Sequence, residues 1–418
     1  MLACGGRGAA TQDSLPPLMR DRSRDVDRLA DLLVGFGANL QRGQILGLTA
    51  YHGMEEVVYA VARSAYERGA KYVDVFWWDH LVKRQRLEHA DESTLDFVPP
   101  WIDQRMQWLS DEHAARISLT GTSATVFDGI DPARTGRDLL PYVAAVPRIV
   151  NERTTNWTAG PSPNAGWAAR VHPALEPQEA LEKLWDQIVH VLRLDSDDPG
   201  EAWRERMKTI VASADRMTER RFDVLHLKGP GTDLRIGLMP SSKWLGADFT
   251  TIDGLTHYPN LPTEEVFTTP DPERVDGFVS ATMPLELYGS YMEGIRIEFE
   301  GGRAVKADAK KGADALRATI AKDDGASRLG EIALVDKEGR IGPLGTVFYE
   351  TLLDENAASH IALGNAYTFP VEDEADRERA NKSDIHVDFM IGSNELDVDG
   401  ITRDGDRVPV LRGGAWQI

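Results

Sequence analysis

With 418 residues, of which 42% are hydrophobic and 27% charged, the chain has the composition of a globular protein of two or three domains. A formal charge of −20 argues against nucleic acid or an anionic membrane as partner, and no apolar run approaches the roughly 20 residues that cross a bilayer. The single cysteine, Cys4, cannot form an internal disulfide, which fits a cytoplasmic protein.

Residues 1–22 make a poor signal peptide, because Arg7 interrupts any apolar core, and are expected to be a disordered extension or the product of a start codon placed too early. From Asp25, the spacing of Val26, Leu29, Leu32, Leu33 and Phe36 predicts a helix that ends at Gly35/Gly37. A strand follows at Gln44–Ala50, then a helix at about 54–68 and a second strand at Lys71–Trp78. Strand, helix, strand makes a βαβ unit, so residues 23–222 are expected to be an α/β domain with a mostly parallel sheet. Ala115–Thr120 and Val146–Glu152 are expected to be further strands, with Pro132–Val143 helical between them. The crowding of Trp, Gly and Pro at 155–173 suggests an ordered loop with exposed aromatics, and Pro177–Met217 is amphipathic and helical. After Arg221 the pattern changes to short strands and tight turns such as Gly229-Pro230-Gly231. Residues 223–418 are therefore expected to form a mixed α+β domain with an antiparallel sheet.

Several chemistries are excluded by their missing motifs. The chain has no Walker-type phosphate loop, no Gly-x-Ser-x-Gly nucleophile elbow and no His-Glu-x-x-His zinc helix. What the second half offers is carboxylates and imidazoles. His386 and Asp388 lie two apart in an alternating segment, so a strand puts both on one face, where they can ligate a divalent cation or form an ion pair. His360 and Tyr367 flank Gly364, a turn residue. Glu264 and Glu265 open one apolar strand, and Glu331 sits at the mouth of another. Each glutamate taken alone is read most simply as a solvated surface acid. Together the groups have the mixed oxygen and nitrogen character that suits Zn, Co or Mn.

Four segments carry a family resemblance: NLPTEEVFTTP from Asn260, LGEIALV from Leu329, DENAASHIALGNAY from Asp354 and SDIHVDFMIG from Ser383. In order and spacing they resemble the thermophilic aminopeptidase family of metallopeptidases, of the aminopeptidase T and aminopeptidase S type. The resemblance runs from about Ser23 to the C-terminus. It implies two divalent ions (Co, Zn, Mn or Mg) held by Glu265, Glu331, His360, Tyr367, His386 and Asp388 in the C-terminal domain. Glu264 matches no ligand of the family, and Glu355 is a further ligand or acid/base group. Glu331 could bridge the ions, Glu355 could move protons, and Tyr367 could ligate or donate to an oxyanion. The implied activity is release of N-terminal residues from peptides with a free amino terminus, by a homodimer. The alternatives are another dinuclear hydrolase, such as a dipeptidase or amidase, and a metal- or peptide-binding protein without turnover. Trp157 and Trp167 are expected to sit on a loop that either forms a lid over the substrate channel or packs on its own domain.

Overall fold

The computed structural model describes residues 21–418 except 122–123, 139, 142, 144, 247 and 288–289. Residues 1–20 of the expected extension thus lie outside the described residues. Arg22, its last member, is buried and pairs with Asp25, Glu182 and Asp186, so it belongs to the fold.

The first half contains a four-stranded parallel sheet, β1 (Ile45–Tyr51), β2 (Tyr72–Trp78), β3 (Ala115–Thr120) and β4 (Asn156–Pro161), in the order β2-β1-β3-β4. Leu46, Leu48 and Ala50 of β1 are completely buried, because helices cover both faces of such a sheet. The first helix, α1 (Ser23–Asp31), buries Val26, Leu29 and Ala30 and runs on into a π-helical turn, Leu32–Gly37. Helix α2 (Glu55–Glu67) buries Val57, Val58 and Val61 in the same core. The expected long amphipathic stretch is two helices, Pro177–Val191 and Pro199–Arg220, the second ended by Arg221 in a left-handed conformation (φ 45°).

Three expectations are corrected. Ala145–Glu152 is a helix, not a strand: Ala145, Ile149 and Val150 are its buried side, and Pro147 is tolerated because the first helical turn needs no partner for its N–H. Among the described residues of Pro132–Val143, the helix covers Pro132–Thr135, where Gly136 follows. The expected loop at 155–173 is strand β4 and a helix, Ala165–Val171. Asn164 caps that helix by accepting the Trp167 N–H at 3.0 Å, which turns the Trp167 ring inward.

Beyond Arg221, among the described residues, the strands of this half pair with one another antiparallel. Eight strands form one sheet, ordered Arg303–Asp308, Arg296–Glu300, Pro270–Ser280, Thr232–Leu238, Val224–Gly229, Asp397–Ile401, Arg407–Arg412 and Ala415–Trp416. A second sheet of four strands has the order His386–Met390, His360–Gly364, Leu329–Val335 and Glu265–Thr268. The two halves are joined firmly. The Ala159 N–H donates to Pro259 O at 2.6 Å and the Leu261 N–H to Ala159 O at 3.0 Å, so β4 continues into the segment that leads to Glu265. One apolar core includes Leu33 and Trp203 of the first half with Leu261 and Val266 of the second.

Candidate metal centre

The four-stranded sheet assembles the site through its register. On the Leu329–Val335 strand Glu331 pairs with Ala362, and Ala362 pairs on its other side with Asp388. His360 lies opposite Ala333, Gly364 opposite His386, and Glu265 opposite Val335. Paired residues and alternate positions share a face, so Glu265, Glu331, His360, His386 and Asp388 all project from one side of the sheet. Beneath them the positions Ala333, Ala362 and Gly364 carry little or no side chain, which leaves open space at the centre. Gly364 has φ +101°, and a Cβ there would lie 2.2 Å from Ile385 O, so only glycine fits.

The open space is a cavity of about 190 Å³ lined by all seven residues proposed from sequence: Glu265, Glu331, Glu355, His360, Tyr367, His386 and Asp388. Glu355 reaches it from the end of the short helix Thr351–Glu355. Tyr367 arrives just after the His360 strand and stacks in a tilted arrangement on His386, ring centroids 5.8 Å apart. The His360 Nε2 lies 3.0 Å from Glu265 Oε2 and 3.7 Å from Glu331 Oε1. The other Glu331 oxygen, Oε2, is 3.8 Å from His386 Nε2, which is 3.3 Å from Asp388 Oδ1. The Glu331 carboxylate thus faces both imidazoles, one with each oxygen.

Both rings are oriented from behind. His360 Nδ1 lies 2.9 Å from Glu355 O, and His386 Nδ1 2.7 Å from Asn365 O, so each Nδ1–H donates to a backbone carbonyl and Nε2 is turned to the cavity. This is the arrangement that fixes the tautomer of a metal-ligating histidine. In the neutral ring Nε2 presents a lone pair to the Glu265 carboxylate, whose buried Oε2 has no hydrogen-bond partner. Two lone pairs at that separation require a cation or a proton between them. The titration behaviour says the same. Burial raises Glu331, and burial followed by Asp388 and Glu265 raises Glu355 well above the ordinary carboxyl value. For His386, burial favours the neutral ring but Asp388 and Glu331 outweigh it and push it up to about 10; His360 is likewise raised by Glu265 and Glu331 against burial. Asp388 is lowered because its bonds to His386 overcome its burial. The residues therefore fit a divalent cation, and Glu265, Glu331 and His360 alone offer three ligand atoms within 4.8 Å of one another.

Glu264 is outside the site and is not the solvated acid that its sequence suggests. Adjacent strand residues point to opposite faces, so Glu264 turns away from the cavity and is buried against Arg206 and Arg193, the latter at 3.1 Å. Arg206 also holds Asp336 at 2.9 Å. Trp167 is fully buried, and its Nε1 donates to Phe348 O at 2.7 Å; it forms no lid. Trp157 does line the cavity, together with Phe249, Asn260 and Phe267. Phe249 carried no sequence signal, whereas Asn260 and Phe267 lie inside a motif already singled out for its glutamates.

The sequence profile of the thermophilic metalloprotease (M29) family matches residues 22–416. The chain belongs to the M29 metalloproteases. Aminopeptidase T of Thermus aquaticus is 42% identical over 404 residues, covering 95% of this chain and 99% of that protein. Aminopeptidase AmpS of Bacillus subtilis (strain 168) is 36% identical over 408 residues, covering 94% and 98%. The solved structure of wild-type AmpT from Thermus thermophilus superposes with a TM-score of 0.87 at 41% identity, over 95% of this chain and 100% of that one. This M29 chain is accordingly a metal-dependent peptidase, with the mixed α/β and antiparallel architecture expected of it and a candidate metal site in its C-terminal half.

Proposed function

We propose that this M29 protein is an aminopeptidase that hydrolyses the N-terminal bond of peptides with two divalent ions, held by Glu265, Glu331, His360, Tyr367, His386 and Asp388. The observation that carries the two-ion reading is Glu331, whose oxygens face His360 at 3.7 Å and His386 at 3.8 Å and so suit a bridging carboxylate. Charge balance supports it: Glu265, Glu331 and Asp388 share one cavity with the carboxyl of Glu355, more negative charge than one divalent cation would neutralise.

Ions held there would lower the pKa of water from 15.7 toward about 7 and polarise the scissile carbonyl. The chain's own groups do the rest. Glu355, whose carboxyl is raised by burial and then by Asp388 and Glu265, donates a proton to or accepts one from the reacting groups, with Asn260 Nδ2 3.4 Å from its Oε1 to orient it. Tyr367 is either a ligand or a hydrogen-bond donor to the developing oxyanion. Trp157, Phe249 and Phe267 wall the cavity and keep bulk water from the reaction. The names of the relatives, all aminopeptidases among those described, support a free N-terminus as the recognised feature.

We also propose a homodimer, consistent with the exposed Phe97 and Trp101 of the first half, and a cytoplasmic setting, supported by the lone cysteine. Among the described residues no helix is long and apolar enough to cross a membrane. The deciding experiment is a panel of aminoacyl-arylamides and their N-acetylated forms, with ions counted on the same protein. Turnover of the free-amine forms alone, with two ions per chain, is expected. Equal turnover of the acetylated forms would favour an amidase, and full activity with one ion per chain would remove the bridging role of Glu331.

A further inference from the structure

A second cavity, of about 460 Å³, shares no residue with the metal centre. It lies at the carboxyl ends of the parallel strands, lined by Thr49 and Tyr51 of β1, Phe76 of β2 and Ser118–Thr120 of β3. In the order β2-β1-β3-β4 the chain winds one way from β1 to β2 and the other way to β3. The carboxyl ends of β1 and β3 therefore flank a topological switch point, the place where open α/β sheets bind their ligands. Position alone assigns no ligand, but the lining adds chemistry.

Arg116 projects into this cavity from β3. Its Nη1 is enclosed, without a hydrogen-bond partner, and among the described residues its guanidinium forms no ion pair, Glu286 of the same lining being held by Arg170. Nearby Arg105 is committed to Asp74 at 2.6 Å, and Lys83 donates to the carbonyls of Asp138 and Leu140 at 2.8 and 2.6 Å. Arg116 thus has one enclosed guanidinium nitrogen without a partner and, among the described residues, no carboxylate to neutralise it, an arrangement that a ligand would complete. From the other half of the molecule Glu350 borders the same cavity, and its buried Oε2 also lacks a hydrogen bond. Burial and then Asp354 push Glu350 up to about 8, so at neutral pH it holds a proton that a nearby ammonium would displace. Arg116 and Glu350 do not pair with each other. The lining also has an apolar part, with Ile102, Met106, Leu119 and Phe127.

A guanidinium and a carboxyl that each keep a buried atom without a hydrogen bond, in a lining that is partly apolar, suit a small zwitterion with a hydrophobic body. A polyphosphate ligand fits poorly, since the turn after β1 (Tyr51-His52-Gly53-Met54) is no glycine-rich phosphate loop. We propose that this cavity binds a free hydrophobic α-amino acid, with its carboxylate on Arg116, its ammonium on Glu350 and its side chain against the apolar wall. Free amino acids are the product class of the proposed reaction. Glu350 immediately precedes the Thr351–Glu355 helix, whose last residue lines the metal centre, so the site is placed beside the catalytic machinery but outside it.

The test uses the metal-loaded full chain and L-phenylalanine, by calorimetry and thermal shift. Phenylalanine should bind and raise Tm, and Arg116→Met and Glu350→Gln should each weaken that binding by about tenfold or more, the worth of one charge-assisted hydrogen bond, without altering metal content. Arg116→Met should also raise the Tm of the ligand-free protein, because it removes an uncompensated charge. In the wild type, 3-phenylpropionate and phenethylamine, each carrying only one of the two charges, should each bind about tenfold more weakly than phenylalanine or worse. Unchanged phenylalanine binding in Arg116→Met, or a half-ligand that binds as well as phenylalanine, overturns the proposal. If a variant fails to fold, the half-ligand comparison on the wild-type protein decides alone.

Discussion

The backbone carbonyl of Glu355 accepts the Nδ1–H of His360 at 2.9 Å, while the side chain of the same Glu355 borders the cavity that His360 Nε2 faces. One residue therefore orients the imidazole with its main chain and offers a carboxyl with its side chain, and the two contributions are separable. Glu355→Gln keeps the carbonyl, so His360 should stay oriented and metal content should hold. Turnover should fall about 10²–10⁴-fold, the range of a lost general acid or base. Loss of an ion together with activity in Glu355→Gln would make Glu355 a ligand instead.

Glu331 is the group whose loss should reach both halves of the centre. Glu331→Gln preserves shape and removes a charge that faces two imidazoles. Metal analysis should find fewer than two ions per chain, and turnover at saturating metal should drop by more than the 10–100-fold typical of a group that merely orients a ligand. Two bound ions and near-normal turnover on an unblocked leucyl substrate would take Glu331 out of the centre.

Metal removal should change how stability depends on pH. In metal-free protein His386 is raised from 6.5 to about 10, so the stability its charge contributes is complete below about pH 6.5 and lost as pH rises through 10. Glu331 and Glu355 are also raised, and a carboxyl that keeps its proton in the fold likewise loses that advantage as pH rises above its unfolded value. Asp388 is lowered and acts only in acid, outside this window. The Tm of stripped protein should therefore fall between about pH 6.5 and 10. Saturating metal, worth about 2.7 kcal/mol at 100 times Kd, should restore it, and metal affinity should rise with pH as protons are displaced. A stripped protein whose Tm climbs across that range contradicts the assignment.

The two tryptophans should separate cleanly. Trp167→Ala empties a fully buried site and leaves Phe348 O without its donor, so it should cost about 3–5 kcal/mol and leave substrate preference alone. Trp157→Ala alters the cavity wall and should shift preference among aminoacyl substrates with a smaller loss of Tm. Denaturant unfolding and a substrate panel measure both. The opposite pattern, with Trp167→Ala changing only preference, would return that ring to a lid.

Glu264 offers a control next to a ligand. Glu264→Gln breaks a buried network with Arg193 and Arg206 and should cost about 3–5 kcal/mol while metal content stays normal. Metal loss at unchanged stability is the result that would move Glu264 into the centre.

How far the sequence could be read follows from which signals are local. The Glu265, Glu331, His360 and His386 segments were recognisable because strand periodicity and motif order survive in the linear chain, and all seven proposed residues meet in one cavity. Glu264 was misjudged because the arginines that bury it come from the Pro199–Arg220 helix and from Arg193 just before it, some sixty to seventy positions earlier. The 155–173 stretch looked like an exposed loop because turn-forming residues dominate its composition. Its outcome is decided by the Asn164 cap and by Phe348, far along the chain, which receives the Trp167 N–H. Ala145–Glu152 misled because its apolar run suits either period, and only packing chooses between them.

The small residues beneath the centre matter as much as the ligands above them. Ala362 stands in register between Glu331 and Asp388, and it is the missing bulk at this position that keeps the two carboxylates facing open space. A bulkier Val or Leu there would touch none of the ligating atoms' own identities, yet it would fill the room that the ions need. Descendants of this chain could thus lose catalysis while every metal-binding residue survives. A survey that counts only ligands would credit such proteins with an activity they no longer have, and position 362 is where the difference would be written.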